Sequence, residues 1–165
     1  MDRAAESQSL IVALEHAFAS VSRGAVTLHE AEVIDDYGTD AERTKARRRD
    51  PELDWRDVPD SSIASCLDAL SHLDPESWRF YLPAFIRLGL RTMTGPHSPI
   101  DRAIYALAVG DDRKLNDYQR ARFETLDAAQ AEVIRRFLQF ATENDDHCDG
   151  LVAGQALEKH WRLVR

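Results

Sequence analysis

The sequence contains few cysteines and no long apolar segment. Its two cysteines, Cys66 and Cys148, do not suggest the disulfide framework of a small secreted domain, so we expect reduced thiols. No run approaches the roughly 18 consecutive apolar residues of a membrane-spanning helix. The N-terminal segment also lacks a basic stretch followed by an apolar core, so no secretory signal is predicted. We therefore expect a cytoplasmic protein with no membrane segment.

Local catalytic motifs are also absent from the sequence. It has no G-x-S-x-G elbow, no glycine-rich phosphate loop with lysine, no H-E-x-x-H and no C-x-x-C. Its seven glycines fall mostly at predicted helix ends, which leaves little backbone to surround a substrate. An enzyme whose site is dispersed along the chain leaves no such trace and remains an alternative. These absences favour a protein without catalytic activity and without a cofactor.

Acidic residues outnumber basic residues by 29 to 21, which gives a formal net charge of −8 with neutral histidines. Nucleic acids and anionic membranes attract positive surfaces, so this charge disfavours both as general partners. A basic protein partner is compatible with it, although acidic charge also serves solubility alone.

The spacing of apolar residues predicts helices along the whole chain. Apolar residues recur three and four positions apart, and no convincing segment alternates with the period of a strand. A length of 165 residues is typical of one domain with a sizeable core. We predict an all-α fold, a single-domain bundle of six to eight helices over residues 1–165. Residues 39–60 are the least hydrophobic segment, and we expect a short exposed helix or a mobile arm there.

The segment from Asp74 to Met93 predicts the central helix of this bundle. Asp74 is a typical N-cap, and Pro75 is favoured at the first helical position. The remainder is apolar on almost every side, as expected for a buried helix. The one polar stripe holds a proline and three arginines, Arg79, Pro83, Arg87 and Arg91. On that stripe water can satisfy the carbonyl that the proline leaves unpaired, so we predict a kinked helix over about residues 75–93.

The loop NDDHCDG at 144–150 is the most site-like stretch, because carboxylates, an imidazole and a thiol lie within it. A calcium loop beginning at Asp145 would need a bidentate glutamate at its twelfth position, where the chain has Ala156. For a zinc site, the adjacent His147 and Cys148 are poorly spaced, and no second pair is present. We therefore predict no metal site here and interpret the loop as an acidic surface.

A run of basic residues in the polar segment is the one stretch that suggests a phosphate contact. Its members are Arg43, Lys45, Arg47, Arg48 and Arg49. Acidic residues flank the run on both sides, and bases at the end of a helix also complement its dipole. No aromatic residue lies between the arginines to stack on bases. We predict a solvated helix and keep a regulatory or nucleic-acid-associated module, using residues 43–49, as an alternative function.

The segment WRFYLPAF at 78–85 carries a resemblance to a family of uncharacterised bacterial helical domains. Those domains share an aromatic-aromatic-Leu-Pro-Ala signature, which residues 80–84 match here. The similarity extends through the Trp55 region, Leu126–Gln130, and Leu157 and Trp161. The resemblance implies an all-helical fold and assigns no activity and no site residue. Small, acidic, all-helical proteins of this kind are also similar in appearance to many bacterial immunity proteins.

Charge and fold together predict an interaction protein, more specifically an immunity or inhibitor protein that binds a basic toxin domain. Clustered carboxylates attract a cationic partner and increase its rate of encounter, so we expect salt-sensitive association. The predicted partner-binding residues are the aspartates of two acidic loops, Asp111, Asp112, Asp145, Asp146 and Asp149.

Overall fold

The computed structural model describes residues 2–93 and 98–162, which form nine α-helices and contain no β-strand. The helices are α1 (Arg3–Ala17), α2 (Leu28–Asp35), α3 (Asp40–Arg47), α4 (Asp60–Ser65), α5 (Pro75–Thr92), α6 (Pro99–Leu107), α7 (Arg113–Phe123), α8 (Ala128–Glu143) and α9 (Gly150–Ala156). Two 3-10 turns and one π turn complete the order, at Trp55–Asp57, Ala69–Ser71 and Leu157–Trp161. Eight of these helices have seven residues or more, and the all-α fold is confirmed.

Aspartate N-caps in the sequence determine where two of the helices begin. Asp74 caps α5, because its Oδ1 accepts a hydrogen bond from the Ser77 N–H at 3.1 Å. Asp127 caps α8 in the same way, through the Gln130 N–H at 2.8 Å. These side chains satisfy backbone donors that have no partner inside the helix. Local sequence therefore determines the first residues of both long core helices.

Helix α5 lies at the centre of the fold, as its sequence predicts. It contacts α1, α4, α6 and α7 together with both 3-10 turns. Trp78, Phe80 and Tyr81 have no exposed surface, and they continue the core that extends from α1 to the π turn. At Gly89 the backbone of α6 comes so close that an added Cβ would lie 2.7 Å from Ile100. The glycine therefore allows α5 and α6 to pack closely.

Pro83 is buried inside α5, so the prediction that it faces water along a polar stripe is wrong. Other elements cover the stripe. Arg79 donates to Gln130 Oε1 of α8 at 3.0 Å. Arg87 lies over the Trp55 ring, 5.0 Å from its centroid, with its side chain only 12% exposed. From Arg79 to Arg87 the stripe is therefore covered in the fold, whereas Arg91 at its end is exposed and pairs with Asp60 at 2.6 Å.

The polar segment 39–60 contains α3 and the turn at Trp55–Asp57. Trp55 is 1% exposed and donates its indole N–H to the Phe18 carbonyl at 2.9 Å, which attaches this segment to the core. The mobility of the segment stays a prediction. Within residues 2–93 and 98–162, no helix combines the length and apolar character needed to cross a bilayer.

Candidate functional site: an acidic surface around Tyr105

Two neighbouring clefts share one wall, the side chain of Tyr105. The first cleft, of about 420 Å³, lies between the turn Ala69–Ser71, α6 and α7. The second cleft, of about 280 Å³, lies between α6 and the loop that precedes α9. Tyr105 projects from α6 and separates the two clefts.

The five predicted partner-binding aspartates all line these clefts. Asp111 and Asp112 line the first cleft, while Asp145, Asp146 and Asp149 line the second. The fold thus brings two acidic loops, which are separated by more than thirty residues in sequence, to opposite sides of Tyr105. We call these five aspartates, together with Tyr105, the acidic surface.

Three of the five carboxylates already have partners within the chain. Asp112 caps α7 by accepting from the N–H groups of Lys114 and Leu115 at 2.9 and 3.1 Å. Asp111 pairs with Lys159 at 3.3 Å. Asp149 caps α9 by accepting from the Val152 N–H at 3.1 Å. These three aspartates stabilise local structure, and their charge also contributes to the surface potential.

Asp145 and Asp146 differ from the other three aspartates. Both are exposed, and neither carboxylate has a hydrogen bond or ion pair within the described part of the chain. Substitution of either side chain therefore removes no hydrogen bond or ion pair within the described residues. These two residues are the ones to change when the surface is tested.

Asp101 lies in the inner wall of the second cleft and is only 3% exposed. Its Oδ1 accepts from the Asp149 N–H at 2.8 Å, while the Tyr105 hydroxyl donates to Asp149 Oδ2 at 2.9 Å. Asp149 Oδ1 accepts from the Val152 N–H at 3.1 Å. These bonds hold the acidic loop against α6. Sequence reasoning missed Asp101, because an aspartate in the first turn of a helix looks like an ordinary N-terminal acid.

The local charge changes the titration of two neighbouring groups. Burial, and then the carboxylates of Asp101, Asp149 and Asp145, raise the pKa of the Cys148 thiol to about 11. Burial and the hydrogen bond to Asp149 also raise the pKa of Tyr105. Both groups stay protonated at neutral pH, so Cys148 does not offer the thiolate that nucleophilic chemistry requires. These shifts are the effect of burial together with the negative potential of the surrounding carboxylates.

Large apolar side chains are exposed beside these carboxylates. Tyr105, Leu115 and Tyr118 line the first cleft and are 42%, 65% and 47% exposed. Protein interfaces typically combine aromatic anchors with a charged rim. The acidic surface and these three side chains match that pattern.

Arg122 forms the floor of the first cleft and is only 2% exposed. It donates to the carbonyls of Ser71 and Leu73 at 3.0 and 2.8 Å, and its guanidinium lies 4.1 Å from the centroid of the Tyr118 ring. Gln119 accepts from Arg122 and donates in turn to the Ala106 carbonyl at the end of α6. Burial lowers the pKa of Arg122, and these acceptors compensate its charge. This network fixes α7, and with it Leu115 and Tyr118, against the neighbouring turns.

The possible metal ligands of the loop 144–150 are His147, Cys148 and the neighbouring aspartates. In residues 2–93 and 98–162, no group of three or more His, Cys, Asp or Glu side chains is arranged to hold a metal ion. His147 and Cys148 both line the second cleft, yet they are consecutive residues of one loop. The other residues that line this cleft are Tyr105 and four aspartates, Asp101, Asp145, Asp146 and Asp149.

Part of the basic run 43–49 is occupied inside the fold. Arg43 and Arg47 both bind the carboxylate of Glu30, which is 1% exposed, at 3.0 and 2.8 Å. His29 beside it pairs through Nδ1 with the buried Asp50 at 2.5 Å. Two of the five basic side chains thus join α3 to α2, which leaves fewer charges for a phosphate backbone. Glu30 also accepts from the Thr27 N–H three residues before it, a contact that is local in the sequence, whereas its two arginine partners follow 13 and 17 residues later.

Comparisons with known proteins assign the chain to a family. The family model described as "Family of unknown function (DUF6714)" matches residues 6–165. Searches of curated proteins and of solved structures returned no significant match. The match covers nearly all of the chain, and the predicted membership of an uncharacterised helical family is confirmed. The chain therefore belongs to the Family of unknown function (DUF6714).

Proposed function

We propose that this protein is an interaction module without catalytic activity, whose acidic surface binds a basic partner protein. The observation that carries the proposal is the placement of all five aspartates around Tyr105, beside exposed Leu115 and Tyr118. In its specific form, the protein is a bacterial immunity or inhibitor protein that covers a basic toxin domain. Its two unpaired cysteines fit a reducing cytoplasm.

The exposed carboxylates and the neighbouring aromatic side chains contribute differently to binding. The exposed carboxylates of Asp145 and Asp146 attract a cationic partner at a distance, which increases the association rate at low salt. Tyr105 and Tyr118 supply apolar area with few rotatable bonds, which slows dissociation once the partner is bound. Charge therefore sets the encounter rate, and the aromatic side chains set the lifetime of the complex.

Comparative capture from a lysate of the source organism tests this proposal. The wild-type protein, the D145K/D146K variant and the D36K/D57K variant are immobilised at low salt, and bound proteins are quantified by mass spectrometry. Asp36 and Asp57 are exposed and line neither cleft, so the control changes net charge equally outside the surface. We expect one stoichiometric basic protein on the wild type and the control, released by salt, and little of it on D145K/D146K.

Two results would contradict the proposal. Equal capture by all three proteins would show that the partner binds elsewhere. A lysate that contains the expressed protein but yields no stoichiometric partner would favour a small-molecule role instead.

A further inference from the structure

We propose that the first cleft binds a free α-amino acid that has an apolar side chain. The cleft, of about 420 Å³, lies within the usual size range of small-molecule sites. Its lining combines guanidinium groups, apolar side chains and carboxylates. A zwitterionic amino acid with an apolar side chain carries a complementary group for each of them. This inference is independent of the proposed function, because it concerns a small molecule and not a partner protein.

Arg122 is the first reason to place a ligand in this cleft. It lines the cleft, is 2% exposed, and within the described residues binds only neutral oxygens, those of Ser71, Leu73, Gln119 and Tyr118. Its Nε–H has no acceptor in that part of the chain. Neutral acceptors compensate a buried cation only in part. A ligand carboxylate would compensate the remaining charge of the guanidinium and accept from its free donor.

Two further unpaired atoms belong to residues that line the same cleft. Arg102 Nε and Asn116 Oδ1 are both buried, and neither has a hydrogen-bond partner among the residues that the structure describes. The rest of each side chain is held, because Arg102 pairs with Asp68 at 2.7 Å and Asn116 Nδ2 donates to the Gly110 carbonyl at 2.8 Å. Buried polar groups are normally paired, so two donors and one acceptor without partners around one cleft indicate a polar ligand.

The apolar part of the cleft fits the side chain of the amino acid. It is formed by three leucines and two tyrosines, Leu67, Leu70, Leu115, Tyr105 and Tyr118. Leu115 and Tyr118 are 65% and 47% exposed, so contact with an apolar ligand would remove their surface from water. The three unpaired atoms have almost no accessible surface, and a ligand reaches them when these two exposed side chains move.

The carboxylates of the cleft favour a zwitterion over a simple organic anion. Asp68, Asp111 and Asp112 line the same cleft and would repel a ligand that has only a carboxylate. An ammonium group on the ligand is attracted to these aspartates, and it can donate to Asn116 Oδ1. The opposite charges around the cleft therefore select a ligand that carries both.

Nuclear magnetic resonance titration of the full chain tests the inference with defined probes. The ¹⁵N-labelled protein is titrated with L-phenylalanine, L-phenylalaninamide, N-acetyl-L-phenylalanine and L-alanine. The amide lacks the carboxylate, the acetyl derivative lacks the ammonium, and alanine lacks the large apolar group. We expect saturable shifts of the Asn116 and Tyr118 amide signals with L-phenylalanine, and affinities lower by about fivefold or more for the other three probes. The acetyl derivative also represents the C-terminal residue of a peptide, so it separates that source from the free amino acid.

Substitutions locate the binding site. Arg122→Met removes the buried cation, and we expect it to weaken L-phenylalanine by about tenfold. Arg102→Met breaks only a partly exposed ion pair and should weaken binding by about threefold, which covers the case in which R122M fails to fold. Arg120→Met is the matched control, because Arg120 is exposed on α7 and does not line the cleft, so its affinity should equal that of wild type.

The outcomes separate this inference from the proposed function. The amino-acid site would be overturned by the absence of saturable shifts, by shifts that avoid Asn116 and Tyr118, or by equal affinity for L-phenylalanine and either of its derivatives. Full affinity of R102M would overturn it as well. Binding that needs both charged groups and that R102M weakens would establish the site whatever the lysate capture yields, because the titration contains no partner protein.

Discussion

At the scale of single residues, three buried charged side chains differ in how the fold compensates their charge. Glu30, Asp101 and Arg122 are each at most 3% exposed. Glu30 binds two arginines, and Arg122 binds backbone carbonyls. Asp101 has only an N–H donor within the described residues, which makes it the exception. Sequence patterns showed none of these roles, because their partners lie far away along the chain.

Replacement of Arg122 by methionine should destabilise the protein. The substitution leaves the carbonyls of Ser71 and Leu73 with only the Tyr118 hydroxyl as a donor, at 3.4 and 3.5 Å. Because the two shorter bonds from Arg122 are lost, we expect a loss of about 2–4 kcal/mol in the free energy of unfolding. Urea denaturation measures this change. Arg120→Met is the matched control, because Arg120 is exposed on the same helix and should stay within about 0.5 kcal/mol of wild type. Equal stability of the two variants would show that the Arg122 network is dispensable.

Glu30 should make the stability of the protein depend on pH in the acid range. Burial alone would raise its pKa, but hydrogen bonds from Arg47, the Thr27 N–H and Arg43 outweigh burial and hold it below 4.5. A lowered folded pKa means that the stabilisation is complete above 4.5 and is lost as the pH falls through the lowered value.

The E30Q variant tests this dependence. We expect it to be less stable than wild type by about 1–3 kcal/mol at neutral pH, with the difference shrinking as the pH falls below 4.5. Urea denaturation at several pH values measures both quantities. Asp36→Asn, which changes an exposed carboxylate, should show no such trend. A difference that stays constant down to the folded pKa of Glu30 would contradict the proposed ion pair.

At the scale of helices, apolar spacing and capping residues predict where the helices lie in the sequence, but they do not predict how the helices pack against one another. Asp74 and Pro75 correctly predicted the start of α5, and its apolar sequence correctly predicted burial. The burial of Pro83 was missed, because a one-dimensional stripe does not show which element covers it. The sequence predicts the five aspartates from their charge alone. Their placement around Tyr105 depends on the packing of α6 against α9, and of α7 against α5, which the sequence does not show.

Two glycine substitutions should have opposite effects. Gly89→Ala would place a Cβ 2.7 Å from Ile100, which forces α5 and α6 apart, and we expect a loss of about 1–3 kcal/mol. Gly154→Ala meets nothing closer than 3.7 Å inside α9, so it should gain about 0.5–1 kcal/mol from helix propensity. Thermal denaturation of both variants measures the difference. Equal melting temperatures would contradict the close packing at Gly89.

At the scale of the whole molecule, the net charge of −8 is less informative than its distribution. Several charges neutralise one another inside the fold, as Glu30 does with Arg43 and Arg47. Asp145 and Asp146 instead lie exposed in the cleft that Tyr105 lines. An acidic composition serves solubility in many proteins, whereas carboxylates gathered next to Tyr105 favour recognition of a cation.

The association rate of the captured partner tests the acidic surface most directly. Stopped-flow mixing at about 20 mM and about 500 mM salt compares wild type with D145K/D146K and D36K/D57K. We predict that wild type and D36K/D57K associate at similar rates and slow by about tenfold or more at high salt. The D145K/D146K variant should associate more slowly at low salt and approach the wild-type rate at high salt. Equal rates for wild type and D145K/D146K at low salt would contradict the proposal that this surface receives the partner.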